Sequence, residues 1–113
     1  MKTNLQTRIL ISELKKAGKS VPLWKRIADE LESPTRQMVS VNVGKLDSVV
    51  RDGETALVPG KVLSVGTMSK KITVAAFSFS EAARAKIAAH GTAISIHELL
   101  KKNPKGNNVR IVK

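Results

Sequence analysis

The run Val58-Pro59-Gly60-Lys61-Val62-Leu63, followed by Lys70-Lys71-Ile72-Thr73-Val74-Ala75-Ala76-Phe77, sets short apolar stretches beside glycine turns and clustered lysines. Aliphatic and β-branched residues dominate both halves, which is the composition of strands. Ala56-Leu57-Val58 reads as a strand stopped by Pro59-Gly60, since proline donates nothing to a ladder and glycine favours a turn. Residues 61–65 and 72–77 then read as two further strands. Between them, Gly66-Thr67-Met68-Ser69-Lys70-Lys71 is either the basic tip of a hairpin or a longer crossover between non-adjacent strands; spacing alone does not choose.

Working outward, Leu5, Ile9, Leu10 and Leu14 recur at helical spacing, with Thr3 or Asn4 as a cap and Gly18 past the end, so a helix over about 4–17 is expected. A second starts at Ser20, with Pro22 in its first turn, an apolar face of Leu23, Trp24, Ile27, Ala28 and Leu31, and a stop at Ser33-Pro34. Val39-Ser40-Val41-Asn42-Val43 alternates strictly and predicts a half-buried strand. A short helix over about 44–51 follows, closed by Asp52-Gly53. Ser80 can cap an alanine-rich helix over about 81–90 that ends at Gly91. Ala93-Ile94 reads as a brief strand, and Ser95 with Glu98 has the spacing of a capping box for a helix to about 102. The loop Asn103-Pro104-Lys105-Gly106-Asn107-Asn108 leads into a last strand over about 109–112. The expected class is α/β in one compact domain over 1–113, with N-terminal helices over about 4–33 and an α/β part over about 37–113.

The charge is uneven along these 113 residues. Residues 1–60 carry ten Lys/Arg against seven Asp/Glu, or +3, and residues 61–113 carry ten against two, or +8, together the formal net charge of +11. A surplus of that size suits a polyanion, and the second half is the better candidate for the face that meets it. With no cysteine, disulfides, thiolate catalysis and Cys-based zinc sites are excluded. The first residues lack the apolar core of a signal peptide and no run spans a bilayer, so a cytosolic protein without membrane contact is expected.

Lysine ammoniums contact phosphates without reading sequence, which makes Lys70, Lys71, Lys101 and Lys102 candidate RNA-binding residues; Lys15-Lys16 is a third such pair, in the less basic half. Taken singly, each pair is equally well a solvated surface. Lys105, Asn107 and Arg110 are candidates because charge and turn chemistry coincide in one loop, for which the plain alternative is an exposed turn. Gly60-Lys61 and Gly66-Thr67 lack P-loop spacing, His90 and His97 lack a third ligand, and no carboxylate pair or serine–histidine grouping emerges. No enzyme, metal, cofactor or small-molecule substrate is therefore expected. Trp24, the lone tryptophan, reads as core or protein contact, since single-strand binders interleave several aromatics with basic residues.

Five stretches carry a resemblance over nearly the whole chain: Trp24-Lys25-Arg26-Ile27-Ala28 with Ser33-Pro34-Thr35-Arg36; Val41-Asn42-Val43-Gly44-Lys45-Leu46; Val58-Pro59-Gly60-Lys61-Val62-Leu63; Thr73-Val74-Ala75-Ala76-Phe77-Ser78-Phe79-Ser80; and Asn103-Pro104-Lys105-Gly106. In order and spacing they resemble the archaeal and eukaryotic large-subunit ribosomal protein eighteen family, related to bacterial large-subunit protein fifteen. Ser64-Val65-Gly66 departs from the two glycines expected around a small residue there. The resemblance implies irregular strand-strand-helix superhelical turns behind N-terminal helices, docked on large-subunit rRNA in the cytoplasmic ribosome beside neighbouring ribosomal proteins, with no homo-oligomer. Arg36, Asn42, Lys45 and Lys61 join the RNA-binding candidates within these motifs. The competing reading is a free RNA-binding assembly factor of the same fold, separable by co-sedimentation with mature subunits.

Overall fold

A computed structural model describes residues 5–32 and 39–113. The expected caps at Thr3 or Asn4, the stop at Ser33-Pro34 and the candidate Arg36 lie outside the described residues. The elements follow in the order α1 (Leu5–Ala17), α2 (Pro22–Glu32), β1 (Val39–Asn42), α3 (Val43–Val49), β2 (Thr55–Leu63), β3 (Thr73–Phe79), α4 (Glu81–His90), β4 (Thr92–Ser95), α5 (Ile96–Lys102) and β5 (Val109–Ile111).

The local signals behave as their chemistry dictates. Pro22 opens α2, where a missing N–H costs nothing. Trp24, Ile27, Ala28 and Leu31 form its buried stripe at the 3, 4, 7 spacing of one helix face. Ser80 caps α4 by accepting from the Ala83 N–H at 3.2 Å, and Ser95 caps α5 by accepting from the Glu98 N–H at 3.1 Å. Gly91 follows α4 for a reason other than handedness: its φ is −141°, but a Cβ there would lie 2.0 Å from the Ile72 carbonyl oxygen.

Every strand pairing is parallel. The sheet runs β1-β2-β3-β4, with β5 also on β2. Thr55, Thr73, Thr92 and Val109 start four strands in one row. Such a sheet is buried on both faces. Leu57, Ala75 and Ile94 pack with Ile11, Leu14, Trp24, Ile27, Leu31 and Leu99 of α1, α2 and α5. Ala56, Val58, Val74 and Ala76 face the other way, onto Leu46, Ala83 and Ile87 of α3 and α4. Each large aliphatic side chain so buried contributes about 1.5–3 kcal/mol.

Pro59-Gly60 does not stop a strand, and residues 56–58 and 61–65 are not separate elements: β2 runs unbroken from Thr55 to Leu63. Val58 pairs with Ala76 and Lys61 with Ser78, so three steps along β2 match two along β3. The extra residue is a bulge, which absorbs the ladder hydrogen bond that proline cannot make. Gly60 is needed for closeness, since a Cβ would sit 2.0 Å from the Val39 carbonyl oxygen. The dipeptide marks a change of edge partner: β5 pairs with residues Thr55 to Leu57 of β2, and β1 with residues Gly60 to Leu63.

The parallel pairing of β2 with β3 also decides the connection between them. It is a crossover, not a hairpin. Residues 64–72 return from the end of β2 to the start of β3 without a helix. The eight steps of β2 rise about 26 Å, and the ten links from Leu63 to Thr73 reach at most about 36 Å, so the link is long enough to return without a helix but has no room for one. Met68 is buried in the α3/α4-side core, and Asp47 of α3 holds the segment by accepting from the Ser69 N–H, Ser69 Oγ and the Lys70 N–H.

Candidate nucleic-acid interface

The row of strand starts defines one rim of the sheet, and most of the candidate residues gather there. Lys70 and Lys71 end the crossover immediately before Ile72 and β3. Lys101 and Lys102 occupy the last turn of α5, and Lys105 and Asn107 the loop that feeds β5. Arg110 lies in β5 itself, opposite Ala56. Glu54, Lys71, Thr73, Gly91 and Thr92 line a hollow of about 230 Å³ on this rim.

The loop 103–108 is built into the fold. The Trp24 indole N–H donates to the Pro104 carbonyl oxygen at 2.7 Å, across 80 residues of sequence. Asn103 braces the loop from inside: its Nδ2 donates to the Asn107 carbonyl at 2.8 Å and its Oδ1 accepts from the Asn107 N–H at 3.2 Å. Gly106 has φ 69°, and a Cβ there would lie 2.6 Å from Leu23 Cδ2, so the turn is seated on α2. Thr55 N–H donates to the Asn108 carbonyl at 2.8 Å and closes the loop onto β2. Lys105 and Asn107 are exposed on a fixed backbone.

The candidate cations divide into two groups. Three are engaged within the protein. Lys70 Nζ donates to the Val50 carbonyl at 2.8 Å, Lys45 Nζ to the Lys113 carbonyl at 2.8 Å, and Arg110 Nε to Glu54 Oε1 at 3.0 Å. The other five, Lys61, Lys71, Lys101, Lys102 and Lys105, are exposed and have no side-chain partner among the described residues. Lys61 stands apart from the rim, between Ser40 of β1 and Ser78 of β3. Asn42 sits at the end of β1, half-buried, with its Oδ1 unpartnered among the described residues and no capping bond to α3. In the first half, Lys15 is paired with Glu32 at 2.6 Å. Trp24 is fully buried, as its place on the apolar face of α2 leads one to expect.

Sequence reasoning missed Asp47, Glu54 and Asn103. Each acts by a contact whose partner is a turn or a loop, and no periodicity announces it. Hydrogen bonds from the Ser69 N–H and hydroxyl, with further help from Lys70, hold the Asp47 carboxyl below its ordinary pKa. The Arg110 guanidinium, then the Arg51 N–H, do the same for Glu54, while Glu54 raises Arg110. Carboxylates depressed in the folded state contribute stability above their unfolded pKa and lose it as pH falls through the folded value. Stability is expected to be level above about pH 5 and to decline below about pH 4. Asp47→Asn with Glu54→Gln should flatten that acid limb in urea titrations across pH; an unchanged limb would place the acid sensitivity elsewhere.

Among the described residues there is no cluster of His, Cys, Asp or Glu that could hold a metal ion, and no helix long and apolar enough to cross a membrane. The family described as ribosomal proteins 50S-L15 and 50S-L18e, with their 60S counterpart, matches residues 22–95. The large ribosomal subunit protein eL18 of Methanopyrus kandleri is 48% identical over 118 residues, which cover 97% of this chain and 93% of the relative. The proteins of the same description from Methanococcus maripaludis and Haloarcula marismortui are 44% and 40% identical, each over 99% of this chain and over 96% and 98% of their own lengths.

Proposed function

Because the chain belongs to the family of ribosomal proteins 50S-L15 and 50S-L18e and their 60S counterpart, we propose that it is a structural constituent of the large ribosomal subunit that holds rRNA through the lysines of its basic rim. The family is one of ribosomal proteins and not of enzymes. The observation that supports the rim is the set Lys71, Lys101, Lys102 and Lys105, exposed and unpartnered among the described residues, around strand starts that the fold holds in register. Ammonium groups on a rigid edge contact phosphates and position the protein without reading bases. Residues 1–113 act as one domain, with N-terminal helices followed by strand-strand-helix units, such as β2–β3–α4, as turns of an irregular superhelix. Its partners are large-subunit rRNA and the ribosomal proteins beside it, and its place is the cytoplasmic ribosome. Arg36, Asn42, Lys45, Lys61, Lys70, Asn107 and Arg110 complete the proposed contact set, Lys45, Lys70 and Arg110 through what their internal bonds leave free.

The test is co-sedimentation with mature large subunits after a high-salt wash. A structural constituent stays at one copy per subunit. A chain that is washed off mature particles while remaining on precursors is an assembly factor, and the structural reading fails.

A further inference from the structure

Four large apolar side chains are exposed among the described residues, and two of them, Leu5 at 72% and Ile9 at 48%, stand one turn apart on α1. The helix period explains their place: Ile11 and Leu14 fall on the face that α1 buries, while the four-residue step from Leu5 to Ile9 runs along its flank. That flank opens on a hollow. Ile9 and Leu10 face, across about 480 Å³, Phe77 of β3 and Ser95, Ile96 and His97, where β4 passes into α5. A lone exposed leucine needs no explanation, but an apolar pair that continues into a lined hollow is the pattern of a contact surface.

The charge around this hollow is unlike that of the rest of the chain. No lysine or arginine lines it, although the chain has 20. The hollow on the rim has Lys71 in its wall, and another beside the turn from α1 to α2 has Lys15, Lys19 and Lys25. Arg8 and Lys16 are exposed on α1 outside the lining. Acids stand at the lip instead. Glu13 Oε2 lies 2.5 Å from His97 Nε2, a contact that fixes the carboxylate at the edge and leaves 41% of the glutamate side chain exposed. Glu98 is exposed as well, on the α5 turn that Ser95 caps. A phosphate backbone finds no ammonium inside this hollow and two carboxylates beside it. A second copy of the chain would bring +11 against +11. The surface fits an apolar side chain flanked by cations, and a protein lodged in rRNA carries cations because its other side neutralises phosphate.

We infer that this hollow docks an extended segment of a neighbouring large-subunit protein, with an apolar side chain entering between Ile9 and Phe77 and a lysine or arginine next to it reaching Glu13 and Glu98. The inference rests on the reading of the chain as a ribosomal constituent, and the experiment separates the two claims. The chain has no cysteine, so a single-cysteine variant carries a benzophenone photo-crosslinker at one place only. Ile9→Cys in the hollow is compared with Lys101→Cys on the rim, each assembled into whole large subunits after circular dichroism has shown it folded, and the attached residues or nucleotides are mapped by mass spectrometry. The expected result is that Lys101→Cys joins to rRNA while Ile9→Cys joins to one protein segment with a lysine or arginine within two residues of an apolar side chain. Glu13→Gln with Glu98→Gln, which removes charge at nearly constant shape, should weaken the Ile9→Cys product several-fold and leave the rim product unchanged. Attachment of Ile9→Cys to nucleotides, to a second copy of this chain, or to a protein segment without a cation overturns the docking, and so does a product that the two glutamine substitutions do not weaken. No product from Ile9→Cys beside a normal rim product also overturns it and leaves the proposed function standing. Silence from both positions overturns the ribosomal reading together with the docking.

Discussion

Trp24→Ala is expected to remove about 3–5 kcal/mol of folding stability, measured by urea unfolding, and to lower Tm by more than about 10 °C. The indole is fully buried among Leu14, Ile27, Leu31 and Leu57, where α1, α2 and β2 meet, so truncation leaves a cavity that no neighbour can fill. Small domains hold about 5–15 kcal/mol in all, which makes this a large share. Trp24→Phe divides the effect. It keeps most of the ring in place but drops the Nε1 donor and leaves the Pro104 carbonyl without it, at about 1–3 kcal/mol. Hydrogen exchange should then quicken through 103–108 while the sheet core stays protected. Unchanged exchange in that loop would show that Asn103 and Gly106 hold it without the tryptophan.

That contact also shows where sequence reading stops. α2, α4 and α5 are legible because their signals are local: a stripe with the period of a helix, a serine before it, a proline or a glycine at its ends. The bond from Trp24 to Pro104 joins residues 80 positions apart, and nothing in either segment names the other. Pro59-Gly60 misleads for a related reason. Proline and glycine within an apolar run ordinarily punctuate it, and only the partners on both sides, β5 then β1 on one edge and β3 on the other, turn the break into a bulge. The crossover is undecidable from spacing because a nine-residue link is long enough to return along the strand as well as to fold into a hairpin, and the parallel register chooses. Among the candidate cations, charge is legible but commitment is not. Lys70 and Lys71 are neighbours in sequence, yet one donates to the Val50 carbonyl while the other faces solvent.

The division between engaged and unengaged lysines has a direct thermodynamic consequence for RNA binding. Each phosphate neutralised by a lysine releases condensed counterion, so log affinity falls with log salt at about −0.9 per contact on duplex and about −0.7 on single strands. Five unpartnered lysines predict a slope on the order of −4 for the intact chain on rRNA fragments. Replacing Lys101, Lys102 and Lys105 together by alanine should bring that slope to about −2 and weaken binding most at low salt. Melting should barely move, because all three side chains are exposed and none has a partner within the described residues whose loss would cost stability. Lys15→Ala is the control: its ammonium is on Glu32, in the less basic half, and its removal should leave the slope within error. A triple variant that keeps the parent slope would show that the end of α5 and the loop beyond it do not meet phosphate, and the basic rim would then be reduced to Lys71 with the internally bonded Lys70 and Arg110.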